Sequence, residues 1–550
     1  MRHALALPAL LVAAIACAER GSSNAPSGGT LIVTIGADAD HLLPPLITGL
    51  VGRQVADLMY YRLAELTPPI RTAGDEGFEP RLASRWRWAA DSLSIAFDLD
   101  PRAQWHDGTP VRAKDVVFTY SLYTDPVVGA PGSVNFANVD SITAPDSMTV
   151  AVWFQRRKAE QFFEVVHNLV PVPAHVFGPV QRDQLRASGA VREPIGNGPY
   201  RLVRWERASR IELAADTAHW RGRPRLDRVI WTPAPDPVTT VTRLFAGEAD
   251  FYESLRPENL AQAESDSALR VVPYPSLQYG FLQFNLRDPG DSSRPHRLLA
   301  DRELRRAISM AVDRDRLVRS IYDTLAFVAI GPVSRAVAMD TTMTHLPHDP
   351  ERARRTLDSL GWRVSGGDGI RQRDGVPLAF GVIVPTSSRP RINAAVILQE
   401  QLRQVGVRLD IEQMEFTTFL ERQRARRFES YLGVWVTTPT PSGVRQPWST
   451  AGQSNFGAYA SPVFDALVDS AVYARSPVAA RTYWRRAYQT IIDDAPAIWL
   501  YEPRMVAAHH RRLRITEFRA DAWWAGIPEW SIPPDERIAR DRIPLAVRHE

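Results

Sequence analysis

The spacing of apolar positions switches repeatedly between a period of two and a period near 3.6, and these switches lay out the elements. Thr30–Gly36 is β-branched and apolar and ends on glycine, as a buried strand does. Ala37–Pro45, with Asp38, Asp40, His41 and two prolines, predicts a loop. Val55, Leu58, Met59 and Leu63 fall on one face of a helix over Gly52–Ala64. The alternating runs Arg85–Trp88 and Leu93–Leu99 predict a hairpin, and the turn cluster Pro194–Pro199 leads into paired strands Tyr200–Trp205 and Arg210–Ala215.

Punctuation is clearer in the second half. Asp301 predicts the cap of a helix carrying Leu304, Ala307, Ile308, Ala311 and Val312. Asp349-Pro350 opens another that Gly361 closes. A helix over Asn393–Val405 stops at Gly406 and runs into the alternating strand Val407–Ile411, and Ser461-Pro462 and Ser476-Pro477 start two more. Strands alternating with helices of this length predict α/β lobes with mostly parallel sheets. No internal repeat of fixed period is present.

The N-terminus follows a different pattern. Met1-Arg2-His3 precedes an apolar run from Ala4 to Ala16, the layout of a secretory signal and too short for a bilayer, which needs ~20 apolar residues. Cys17, the only cysteine, ends that run after Ala14-Ile15-Ala16. Two readings stand side by side. In one, residues 1–17 are a lipoprotein signal ending at a lipobox cysteine, whose acyl chains anchor the protein to a membrane. In the other, Cys17 belongs to an ordinary signal and is cleaved away. Residues 18–29 are Gly, Ser, Pro and polar, a tether with nothing to pack. A lone cysteine excludes disulfides, CxxC redox chemistry and thiolate metal sites.

The chain's 550 residues exceed what one core organises, so two or more lobes are expected. Net charge is only +4 and the basic residues are dispersed, which argues against a nucleic-acid partner. Lysine occurs only at Lys114 and Lys158, a skew toward arginine without functional content.

Several stretches, in order, resemble the peptide/nickel-type family of extracytoplasmic solute-binding proteins, family 5 of the ABC importer receptors. They are Trp105–Phe118 with its His106-Asp107-Gly108 turn, Gly196-Asn197-Gly198-Pro199-Tyr200, Trp220-Arg221-Gly222, Gly247-Glu248-Ala249-Asp250, Phe284-Asn285, and Leu304–Ile308 with Ala311–Arg314. The resemblance implies a two-lobed α/β periplasmic-binding-protein fold of type II, with an extra inserted subdomain and two crossing hinge strands. Lobe I would comprise residues 30–275 and 500–550, with the insertion at about 61–190, and lobe II residues 276–499. Tyr274–Asn285 and Ala497–Pro503 are the expected crossings. It further implies an exported, monomeric, non-enzymatic receptor, in the periplasm or at the cell surface. It would capture a small peptide-like solute and hand it to ABC permease subunits, without cofactor or metal.

The same resemblance supplies candidate ligand residues. The Arg-Pro pair before a lobe II helix matches Arg389-Pro390 and makes Arg389 the candidate partner of a ligand carboxylate, a task that suits a planar guanidinium. A tryptophan followed three residues later by aspartate marks the ammonium site of peptide binders; here Trp435 is followed by Thr437 and Thr438, with Thr438 in the acid's place. Threonine offers hydrogen bonds without charge, so a solute lacking a free amine is expected. Asp38 and Asp40 either replace the missing charge or cap a turn, and Tyr279 is expected to line the site from behind.

Two other classes remain open at this stage: an exported hydrolase on the same scaffold and a chemosensory receptor. Against the hydrolase, there is no Gly-x-Ser-x-Gly elbow, His-Glu-x-x-His helix or Walker loop. Asp493-Asp494 reads as capping before a proline, and His509 and His510 would face opposite sides of a strand.

Overall fold

The computed structural model describes residues 27–543 except 235 and 517; Cys17 and the signal reading therefore lie outside the described residues. Two large mixed sheets organise the chain. The first runs, in spatial order, Leu269–Tyr274, Met505–His510, Phe251–Tyr252, Thr30–Ile35, Arg228–Pro233, Arg210–Ala215 and Tyr200–Glu206. The second runs Ala326–Val328, Ala497–Pro503, Gln278–Phe284, Ser430–Val436, Ala379–Pro385 and Arg408–Met414.

The expectation of mostly parallel sheets is corrected. Among the described strands, only Thr30–Ile35 and Ala379–Pro385 have parallel neighbours on both sides. Helical crossovers produce those pairs, whereas the remaining strands enter by tight hairpins or from the junction between the sheets and so run back antiparallel.

A four-stranded antiparallel sheet, Ala83–Trp88, Ser94–Leu99, Thr149–Phe154 and Val139–Thr143, is inserted after the first strand and shares the apolar core of the first sheet. The second sheet is covered on both faces, by separate clusters around Leu282, Phe284 and Leu398 and around Phe281, Trp448 and Trp484.

Local chemistry accounts for the boundaries. Asp301 and Asp349 cap their helices by accepting from Glu303 and Leu304 N–H and from Arg352 N–H. The helix expected over 52–64 is Leu50–Met59, and Ala64–Leu66 is a strand. Tyr61 N–H donates to Asn197 Oδ1 at 2.7 Å, which draws the chain out of the helix. The helix expected from Asn393 begins at Arg389, with Pro390 in its first turn.

The motifs at 105–118 and 196–200 prove to be one structural knot. Gly108 takes φ +84°, and Trp105 is buried against Asp115, whose carboxylate caps the next helix. The half-buried His106 ring bonds Gly198 O through Nε2 at 2.9 Å and accepts from Gly196 N–H at Nδ1. A Cβ on Gly196 would lie 1.9 Å from Met59 O, so only glycine lets these backbones meet. Burial holds the His106 pKa down at about 4, so the ring is neutral.

Candidate functional site between the sheets

Ligands of open α/β sheets bind outside the carboxyl ends of parallel strands, where crossover helices diverge to opposite faces. In the first sheet those ends are Ile35, Pro233 and Tyr252, and in the second Pro385, Met414 and Val436.

The connections bring the two edges together. Leu269–Tyr274 ends beside Tyr252, with Tyr274 Oη donating to Glu253 O at 3.1 Å. After Pro275, Ser276 and Leu277 the chain starts the second sheet at Gln278, directly opposite Val436. The return needs only Arg504, between Ala497–Pro503 and Met505–His510. The stretch expected as one crossing strand, Tyr274–Asn285, is thus divided, and Ala497–Pro503 lies wholly in the second sheet. Both crossings leave from the carboxyl edges, which therefore face one another across them.

Glu502, buried beside the return crossing, accepts from the N–H groups of Ile330 and Arg335 at 3.0 and 2.9 Å. Ser334 Oγ donates to Ser276 O at 2.8 Å. Burial raises the Glu502 pKa against these donors.

On the lobe II side, Trp435 is half-buried at the end of its strand and pairs with Tyr279. Tyr279 itself is fully enclosed, and its hydroxyl accepts from Trp448 Nε1 at 2.8 Å. With Phe281, Trp448 and Trp499 it forms an aromatic floor with ring spacings of 5.5–5.6 Å.

Thr437 N–H donates to Leu277 O at 2.7 Å, while its buried Oγ1 has no partner among the described residues. Thr438 is exposed and starts a line of hydroxyls: Thr438 Oγ1 to Thr440 Oγ1 is 3.2 Å, and Thr440 Oγ1 to Ser442 Oγ is 2.9 Å. The line ends on Glu160, whose Oε2 is 2.5 Å from Ser442 Oγ.

Arg389, the first residue of its helix, is exposed and makes no ion pair with the described residues. Arg391, one position past Pro390, stands half-buried over the Phe419 ring, 5.7 Å from its centroid. Its Nε is buried without a partner, and burial lowers its pKa although Tyr501 and Tyr322 pull the other way.

On the lobe I side, the aspartates serve their own loop. Asp38 accepts from Ala39 N–H, Ala208 N–H and Trp205 Nε1, and Asp40 accepts from the Thr48 and Gly49 N–H groups and Thr48 Oγ1. The edge also holds Glu253, which accepts from Gln54 Nε2 and Trp523 Nε1 and whose pKa is raised by burial. The structure thus gathers Trp435, Thr437 and Thr438 on one edge, puts Arg389 at the start of the helix that follows the neighbouring strand, and leaves Tyr279 in the floor. Sequence reasoning missed Arg391, Glu253 and Glu160; the arginines flanking Pro390 were the one visible signal. Among the described residues no three His, Cys, Asp or Glu side chains gather as metal ligands, and no helix is long and apolar enough to cross a membrane.

Two α/β lobes meeting carboxyl edge to carboxyl edge across two short crossings define a hinged, two-lobed binding protein. Residues 77–456 match the family model for bacterial extracellular solute-binding proteins, family 5, and the chain belongs to this family. It is 25% identical over 420 residues to the oligopeptide-binding protein AppA of Bacillus subtilis, covering 74% of this chain and 76% of AppA. It is 25% identical over 454 residues to the glutathione-binding protein GsiB of Pectobacterium atrosepticum, covering 78% and 82%.

Among solved structures, the substrate-binding protein CtaP of Listeria monocytogenes matches with TM-score 0.78 at 22% identity, covering 92% of this chain and all of CtaP. AppA of B. subtilis in complex with a nonapeptide matches with TM-score 0.67 at 22% identity, covering 92% and 99%. Family members are solute-binding proteins rather than enzymes.

Proposed function

We propose that this protein is the extracytoplasmic receptor of an ABC importer, enclosing a peptide-like solute between its lobes and presenting it to permease subunits. The observation that carries the reading is the meeting of two carboxyl edges at a hinge of three residues and one residue. Trp435 forms a wall, Arg389 and Arg391 offer cations to a carboxylate, and Thr437 and Thr438 offer hydrogen bonds where a free ammonium would require an acid. The solute therefore has a carboxylate and a blocked or absent amine. Cys17 is the proposed lipid attachment, holding the receptor at a membrane surface by the residue 18–29 tether.

Native mass spectrometry of the protein from its own host, followed by calorimetry with free-amine and N-acylated peptides, tests this. A co-purified small molecule, or tighter binding of the N-acylated series, is expected. Turnover of a peptide or ester with no stable complex refutes the receptor reading.

A further inference from the structure

The inserted subdomain touches lobe II at a second place, away from the hinge. Ala159 N–H donates to Val472 O at 2.8 Å, and the Arg157 guanidinium donates to Arg475 O. Ala73, Ile70 and Ala159 pack into the lobe II cluster, and a cavity of ≈ 250 Å³ lined by Trp88, Lys158, Ala159, Arg475 and Pro477 lies along the seam. Between these contacts Glu160, at the start of the helix Gln161–Asn168, inserts its carboxyl against Ser442 of lobe II. It is 4 % exposed, and its two oxygens meet Ser442 Oγ and, at 3.3 Å, Ser442 N–H.

An acid sealed between two moving bodies, with no cation of the opposite body against it, costs energy to ionise only while the bodies are together. We propose that the Glu160–Ser442 pair is a proton-operated latch between the lobes, engaged when the carboxyl is protonated and released when it ionises. The other groups facing Glu160 do not compensate its charge. Lys158 and Glu164 lie on its own segment and pair with each other at 3.0 Å, so their effects on it oppose. From lobe II the facing titratable group is Tyr488, whose buried hydroxyl donates to Pro441 O and whose pKa is pushed well above its usual value.

Burial raises the Glu160 pKa to about 7, against the lowering effect of the Ser442 bonds. Opening returns the carboxyl to water and its ordinary range. The sign follows: a group whose pKa is raised in the closed form favours closure below its ordinary pKa, and that advantage fades as pH rises through about 7.

The hydroxyl line couples the latch to the site. A protonated Glu160 donates to Ser442, and the line then runs outward so that Thr438 presents a donor to the cleft; an ionised Glu160 reverses it. This coupling rests on the receptor reading, whereas the latch does not need a solute.

The test is therefore made on the solute-free, full-length protein. Small-angle scattering and tryptophan fluorescence are recorded from pH 5.5 to 8.5 for wild type, Glu160→Gln and Ser442→Ala, with circular dichroism verifying that each is folded. Between those limits the closed-to-open ratio of wild type should fall on the order of thirty-fold, from the shift to about 7. Glu160→Gln, which cannot ionise, should keep one radius of gyration throughout, and Ser442→Ala, which loses the bond to either protonation state, should be more open than wild type at every pH. A wild-type radius independent of pH, or a profile shared by wild type and Glu160→Gln, overturns the latch. Either result leaves the receptor reading to be judged by solute binding.

Discussion

Arg512 holds the first strand and the last described segment together, and its removal gives the sharpest stability test. Its guanidinium contacts Asp250 Oδ1 at 2.6 Å and Asp541 Oδ2 at 2.5 Å, and both carboxylates are fully buried. Asp250 in turn accepts from Ile32 N–H at 2.9 Å, and Asp541 from Thr30 N–H at 2.8 Å and Ile538 N–H at 2.8 Å. Arg540 Nη2 reaches Asp250 at 2.7 Å, so Asp250 keeps one cation if Arg512 is lost, while no other ion pair reaches Asp541 among the described residues.

Arg512→Met preserves most of the side-chain volume but strands Asp541 in the interior. Breaking a buried pair by deleting one partner costs about 3–5 kcal/mol. For a lobe of this size each kcal/mol moves the midpoint by about 2–4 °C. Calorimetry should therefore show the lobe I transition lowered by roughly 6–20 °C, with the lobe II transition in place. The double variant Arg512→Met with Asp541→Asn should recover part of the loss. A single variant within 2 °C of wild type, or equal shifts of both transitions, would refute the reasoning.

Three further outcomes follow from the geometry. His106, neutral at a pKa of about 4, contributes stability above its ordinary 6.5 that is lost as pH falls through that window, roughly 3 kcal/mol in all; His106→Gln should flatten the acid limb of the denaturation profile between those values. A Cβ at Gly280 would come 2.3 Å from the Tyr501 ring, so Gly280→Ala should cost about 1–3 kcal/mol in urea unfolding of lobe II, and an unchanged midpoint would mean the ring moves freely. Arg389→Ala and Arg391→Ala should each weaken binding of a carboxylate solute about tenfold or more by calorimetry while leaving its methyl ester unaffected; equal affinity for acid and ester in wild type removes both from the site.

The elements with strong punctuation were legible in the residues. Asp301, Asp349-Pro350, Ser461-Pro462 and Ser476-Pro477 all open helices, because a cap or first-turn proline acts locally. The ordered motifs led to the family through structural contacts: His106, Gly196 and Gly198 tie the insertion to lobe I.

Strand direction was not legible. Periodicity reports which side chains are buried and not which neighbour a strand meets, so the antiparallel additions to each sheet went unseen. For the same reason the site was read only in part. Trp435 and Thr438 stand on a recognisable stretch, but Glu160 reaches Ser442 across 282 positions of sequence, and only tertiary packing joins them.

The parallel strand Thr30–Ile35 runs for about 20 Å through the middle of the first sheet. Its far end opens on the cleft, while its beginning is clasped to Asp541 through Thr30 N–H. Thr30 and Asp541, 511 positions apart in the sequence, are thus fastened together at the end of the sheet away from the cleft.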